Sequence, residues 1–111
     1  MAGSFEIFKD RAGEFRFRLK ASNGEIILAS EGYKSKTGCK NGIQSVQKNS
    51  QLTSQFEKTE TKTGKARFNL RAKNNQIIGT SESYNSTAAR DNGIASVGKH
   101  ATGAAIKDLI G

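Results

Sequence analysis

Few side chains in this 111-residue chain could carry covalent or acid–base chemistry, and they are easily named. There is one cysteine, Cys39, and one histidine, His100. A thiolate nucleophile needs a base within hydrogen-bond reach. When the chain is laid on itself so that Phe5 meets Phe56, Cys39 aligns with Arg90 and His100 with Asn49. Neither residue recurs, so the two read as unrelated helix residues of different halves. One Cys and one His cannot furnish the three or four protein ligands of a zinc site, and a lone cysteine cannot make an internal disulfide. No GxGxxG, GxxxxGK[ST] or HExxH motif occurs. Two carboxylates do recur, Glu31 and Glu82, each two residues before a tyrosine, Tyr33 or Tyr84. Brought together, the carboxylates could act as acid and base. A place near a helix N-terminus, at the positive end of the dipole, accounts for them without catalysis. The tyrosines read as covers for a sheet edge with their hydroxyls in water. No catalytic residue, metal or cofactor is expected, and the chain reads as non-enzymatic.

The cations are the stronger lead. Lys and Arg number 18 against 10 Asp and Glu, a formal charge of +8 with a pI near 9.9. Arg16, Arg18 and Lys20 alternate along one segment, and Arg67, Arg71 and Lys73 along its repeat. On strands these rows would share the sheet face away from the core and could track a nucleic-acid backbone or another polyanion. Phe15, Phe17 and Phe68 alternate inward, however, so no aromatic is expected outside for bases to stack on. Long basic side chains also cover open sheet faces with no ligand at all. Protein binding through unpaired edge strands or the open face is the alternative, with Lys107-Asp108 guarding one edge.

What must position these rows is a duplication. The 51-residue offset gives roughly 20 identities over about 46 positions, far above chance. The chain therefore divides into repeats at 1–55 and 56–111, too few for a solenoid and suited to a pseudo-twofold pair. Within each copy Phe15, Phe17, Leu19 and Ala21, or Ala66, Phe68, Leu70 and Ala72, alternate with polar residues as a half-buried strand does. Strands at Phe5 to Phe8 and Phe56 to Thr59 precede them through glycine turns, and further strands end at Ala29 and Thr80. Asn23-Gly24 predicts a type I′ hairpin, and Asn74-Asn75 does the same job less ideally. Ser35 and Ser86 are placed to cap helices. In those helices Gly38, Gly42 and Val46 recur at helical spacing, as do Ala89, Gly93 and Val97, and Gly42 and Gly93 allow a close approach to the sheet. Short strands at Gln51 to Ser54 and Ala105 to Ile110 complete two β-β-β-α-β units. The expectation is an α+β fold with helices packed on one face of the sheet.

The glycine turn, F-x-L, the N-G or N-N turn before Ile-Ile, S-E-x-Y-x-S and N-G-I-x-S-V-x-K stand in both copies. This combination resembles the YegP-like family of small bacterial proteins of unknown function, in its tandem-duplicated form. The resemblance implies one antiparallel sheet with the last strands of the units exchanged, and hence a monomer built like a dimer. It transfers no catalytic or binding residue. Ala66 in place of Phe15 and Gly79 in place of Leu28 suggest weaker packing in the second unit. No apolar run approaches the roughly 20 residues needed to span a bilayer, and the first residues lack a signal-peptide pattern, so a cytoplasmic protein is expected.

Overall fold

Alternation and capping produce the expected elements, and the computed structural model describes them over residues 3–110. The first copy forms β1 (Ser4–Lys9), β2 (Phe15–Lys20), β3 (Ile26–Ala29) and α1 (Lys36–Asn49). The second forms β4 (Phe56–Glu60), β5 (Ala66–Arg71), β6 (Ile77–Thr80), α2 (Thr87–Ala101) and β7 (Ala105–Asp108). Ser35 and Ser86 cap the helices as read, their hydroxyl oxygens accepting from the Gly38 and Ala89 N–H groups at 3.0 Å. The inward residues Phe5, Ile7, Phe17, Leu19, Phe68 and Leu70 are fully buried beneath Ile43 and Val46 of α1 and Val97 of α2. A Cα radius of gyration of 13.2 Å is the value expected for a single domain of this length, so the low apolar content does not prevent compaction.

All strands join one seven-stranded sheet in the order β4-β5-β6-β3-β2-β1-β7. At its centre Ala29 of β3 pairs with Thr80 of β6. These are equivalent positions of the two copies, so the pseudo-twofold axis runs through that pair. Each helix straddles the axis: α1 packs on β2, β5 and β6, and α2 on β1, β2, β3 and β5.

Three local expectations are corrected. The sheet is mixed, because β7 runs parallel to β1; three antiparallel pairings lie between β1 and β6, so the strand that α2 delivers to the far edge runs opposite to β6, the strand it left. The exchange is also one-way. Gln51 to Ser54 form no strand, since Thr53–Gln55 is a 3-10 turn leading straight into β4. The same few residues cannot both close one copy and open the next. The Asn23-Gly24 turn is not type I′, which needs positive φ at both central residues. Only Gly24 has it (φ 86°), and Ala21 accepts from the Gly24 N–H while its own N–H donates to Glu25. This is a three-residue loop with a left-handed last residue, a part played by Asn75 (φ 72°) in the second copy.

The weaker packing expected at Gly79 is not what the structure gives. A Cβ on Gly79 would collide with the Leu28 side chain across the axis, which is 1 % exposed. Equivalent positions meet at a twofold axis, and there is room for one leucine there. Phe15 is a half-buried peripheral ring with Lys9 over it, so Ala66 in its place, itself buried, removes nothing from the centre.

Candidate binding surfaces

The basic rows lie on the open face, but not as free charges. The β1–β2 register sets Glu6 opposite Arg18, and Glu6 accepts from Arg18 Nε at 2.7 Å with Lys20 Nζ at 3.4 Å. Asp10 accepts from Arg16 Nε at 2.6 Å, and Glu57 takes Arg71 on both carboxylate oxygens at 3.0 and 3.1 Å. These partners hold the carboxyls of Glu6, Asp10 and Glu57 below their ordinary range: the Arg18 hydrogen bond leads for Glu6, the Arg16 hydrogen bond for Asp10, and the Asn69 hydrogen bond followed by Arg71 for Glu57. Among the described residues of this face, Arg67 has no carboxylate; its guanidinium donates to the Ser81 carbonyl, and Thr61 stands where the first copy has Asp10. Lys73 departs from the row altogether. It sits on the β5–β6 turn in a groove with Asn41, Gln44 and Lys48 of α1. Sequence reasoning missed one aromatic on this face, Phe8, whose ring carries the Arg18 guanidinium at 4.7 Å. The hairpin register was the signal that could have found both Phe8 and the Glu6 partner.

Glu31 and Glu82 do come to one place, a shallow cleft of about 420 Å³ at the axis, shared with Arg16, Arg67 and Thr80. Neither lies in the first turn of a helix, so the helix-dipole explanation fails. Both are exposed. An acid–base pair needs surroundings that hold one partner protonated and the other ionised, and an open cleft does not provide that difference. The rest of S-E-x-Y is structural. Ser30 Oγ accepts from the Phe17 N–H at 2.9 Å and donates to the Glu31 carbonyl at 2.8 Å, and Ser81 repeats this with Phe68 and Glu82. Tyr33 and Tyr84 are not edge covers. Their backbones bridge Phe15 and Ala66, and their rings stack on Phe17 and Phe68 at centroid distances of 6.3 and 6.2 Å. Each hydroxyl end tucks against the helix glycine, Gly42 or Gly93, and burial pushes both phenols up from their ordinary pKa.

Cys39 is fully buried on α1, where burial above all, with Asp108 nearby, pushes its thiol up to about 11. His100 is on α2, its Nδ1 against the Ser96 carbonyl at 2.8 Å. Among the described residues no three His, Cys, Asp or Glu side chains cluster to hold a metal, and no helix is long and apolar enough to cross a membrane.

The two outer strands of the copies are treated unequally. β1 is covered by β7, and Phe5, Ile7 and Ile43 are fully buried. β4 has no strand outside it among the described residues. Its counterparts to those residues, Phe56, Lys58 and Ile94, line an open groove of about 320 Å³ with Thr53 and Asp91. Phe56 and Ile94 are only half-buried there.

A duplicated β-β-β-α unit on one sheet with its last strand carried across defines a class, and comparison with known proteins agrees. The profile described as "Domain of unknown function (DUF1508)" matches residues 10–57 and 62–108, and the chain belongs to that family. Among its relatives, a UPF0339 protein from the ptx operon 5′ region of Stutzerimonas stutzeri is 54% identical over 98% of each chain. The UPF0339 protein YegP of Escherichia coli K12 is 49% identical over 97% of this chain and 98% of its own. Solution NMR structures of the UPF0339 protein from Shewanella oneidensis and of E. coli YegP superpose with TM-scores of 0.92 and 0.93, at 52% and 49% identity. Each covers 98% of this chain, and 92% and 94% of the respective relative. The E. coli structure is described as a protein of unknown function.

Proposed function

We propose that this chain is a non-enzymatic interaction module whose ligand is polypeptide rather than nucleic acid. The observation that carries this reading is the unequal covering of the two outer strands, which among the described residues leaves the β4 edge bare beside half-buried Phe56 and Ile94. An unpaired edge with apolar pockets beside it is the feature that strand-addition binders use. The polyanion reading has less support. A phosphate backbone would have to displace Asp10 from Arg16, Glu6 from Arg18 and Lys20, and Glu57 from Arg71. Catalysis lacks support as well, since Cys39 is buried with its thiol held protonated and the axial glutamates share an open cleft. The test is capture of partners from lysate with and without nuclease, at low and high salt. Recovery that survives both treatments is expected. Recovery that disappears with nuclease, or binding to DNA or RNA that falls steeply with salt, overturns the reading and restores the basic face.

A further inference from the structure

We infer that the groove between β4 and α2 takes an extended strand running parallel to β4, with an apolar side chain followed two residues later by an acidic one. The inference rests on the polypeptide-binding reading above and specifies the partner's chemistry.

Backbone geometry shows that the edge is open for pairing. On the covered side, Phe17 turns its N–H and C=O toward Ser30, so Ile7 opposite it turns its own outward, and the Ile7 carbonyl accepts from the Leu109 N–H at 2.9 Å. Phe68 likewise turns both groups toward Ser81, so Lys58 opposite it presents its N–H and C=O away from β5. No strand among the described residues meets them.

The side-chain pattern follows from the same equivalence. On β1, Ile106 stands beside Phe5 and Asp108 beside Ile7, with Asp108 reaching Lys36 of α1 at 2.6 Å. On β4 the counterpart of Phe5 is Phe56, half-buried with Ile94 behind it, which an apolar residue would cover. The cation has moved from helix to strand. Thr87 stands where α1 has Lys36, and Lys58 stands where β1 has Ile7. An acid beside Lys58 therefore meets a positive charge as Asp108 does, although it comes from the strand. In the bare edge Lys58 is held by Asp91 at 3.3 Å, with both side chains at least half exposed, so an incoming carboxylate can reach the same ammonium.

The test uses the intact, 15N-labelled protein and the synthetic peptide Ala-Ala-Ile-Lys-Asp-Leu-Ile, the sequence of residues 104–110, with a spin label at its N-terminus. Expected are shifts at residues 55–59, Asp91 and Ile94, with line broadening strongest near Gln55. Changing the peptide Asp to Lys weakens binding by about fivefold, the effect of one exposed ion pair, and Lys58→Glu reverses that preference. Broadening centred on Glu60, indifference to the peptide charge, or no shift at β4 overturns the inference and leaves Lys58 as a guard against edge pairing. Lys58→Pro removes the outward N–H and separates the two levels of the proposal, with Ile94→Asp as its substitute if the proline variant does not fold. If partner capture is lost while the peptide fails to bind, the edge reading stands and the partner chemistry falls. If capture is unchanged, the edge reading itself falls.

Discussion

At Gly42 the helix gives up a side chain so that a tyrosine can lie under it. A Cβ there would overlap the Tyr33 hydroxyl and approach a Phe17 ring carbon to 3.0 Å, and Gly93 stands in the same relation to Tyr84 and Phe68. Mid-helix alanine gains about 1 kcal/mol over glycine, but forcing atoms into a packed site costs about 1–3 kcal/mol. Gly42→Ala is therefore expected to destabilise by about 1–2 kcal/mol in urea unfolding. Adding Tyr33→Phe removes the nearest atom and should recover part of that loss, whereas additive losses would mean that the tyrosine is not the obstacle. The glycines were legible as a close approach, but what approaches them was not, because the tyrosine lies outside the helix in a loop whose path depends on the Ser30 hydroxyl. At Cys39 burial keeps the thiol protonated at neutral pH, so alkylation of the native protein should proceed only as fast as the covering structure opens. Labelling as fast as in urea would show the thiol to be exposed.

The helix caps, the alternating strands and the left-handed turn positions are local matters, and each was readable from a few adjacent residues. The type of the Asn23-Gly24 turn was not, since loop length is set by where the flanking strands pair. In the second copy Asn75 carries a positive φ that glycine adopts without strain. Asn75→Gly should stabilise the β5–β6 hairpin by some tenths of a kcal/mol up to about 1, read from the urea midpoint, and a loss would show that the Asn side chain itself is needed. The strand expected at Gln51 to Ser54 failed because repeat symmetry was applied to a segment that also has to join the copies. The basic rows were located correctly for Arg16, Arg18, Lys20, Arg67 and Arg71. Their neutralisation was harder to see, because Glu6, Asp10 and Glu57 lie on or beside neighbouring strands and meet them only through pairing.

Across the whole molecule, these cross-strand pairs tie stability to pH. Because Glu6, Asp10 and Glu57 titrate below their unfolded range, their contribution is complete above that range and is lost as pH falls through the lowered folded values. The melting temperature should therefore hold steady down to about pH 5 and fall as pH drops from about 4 toward 2. Glu6→Gln should flatten part of that fall, and an unchanged acid profile in the variant would remove Glu6 from the account. The one-way exchange of β7 also orders events in time. During synthesis β1 emerges well before β7, and domains complete their folding only when the contacts that span them are available. The outer edge of β1 must stay unpaired until residue 108 has left the ribosome. Pairings between segments far apart in sequence cost the most loop-closure entropy and form slowly, so β7 makes the molecule a late-closing one, with β1 open to foreign strands until β7 docks.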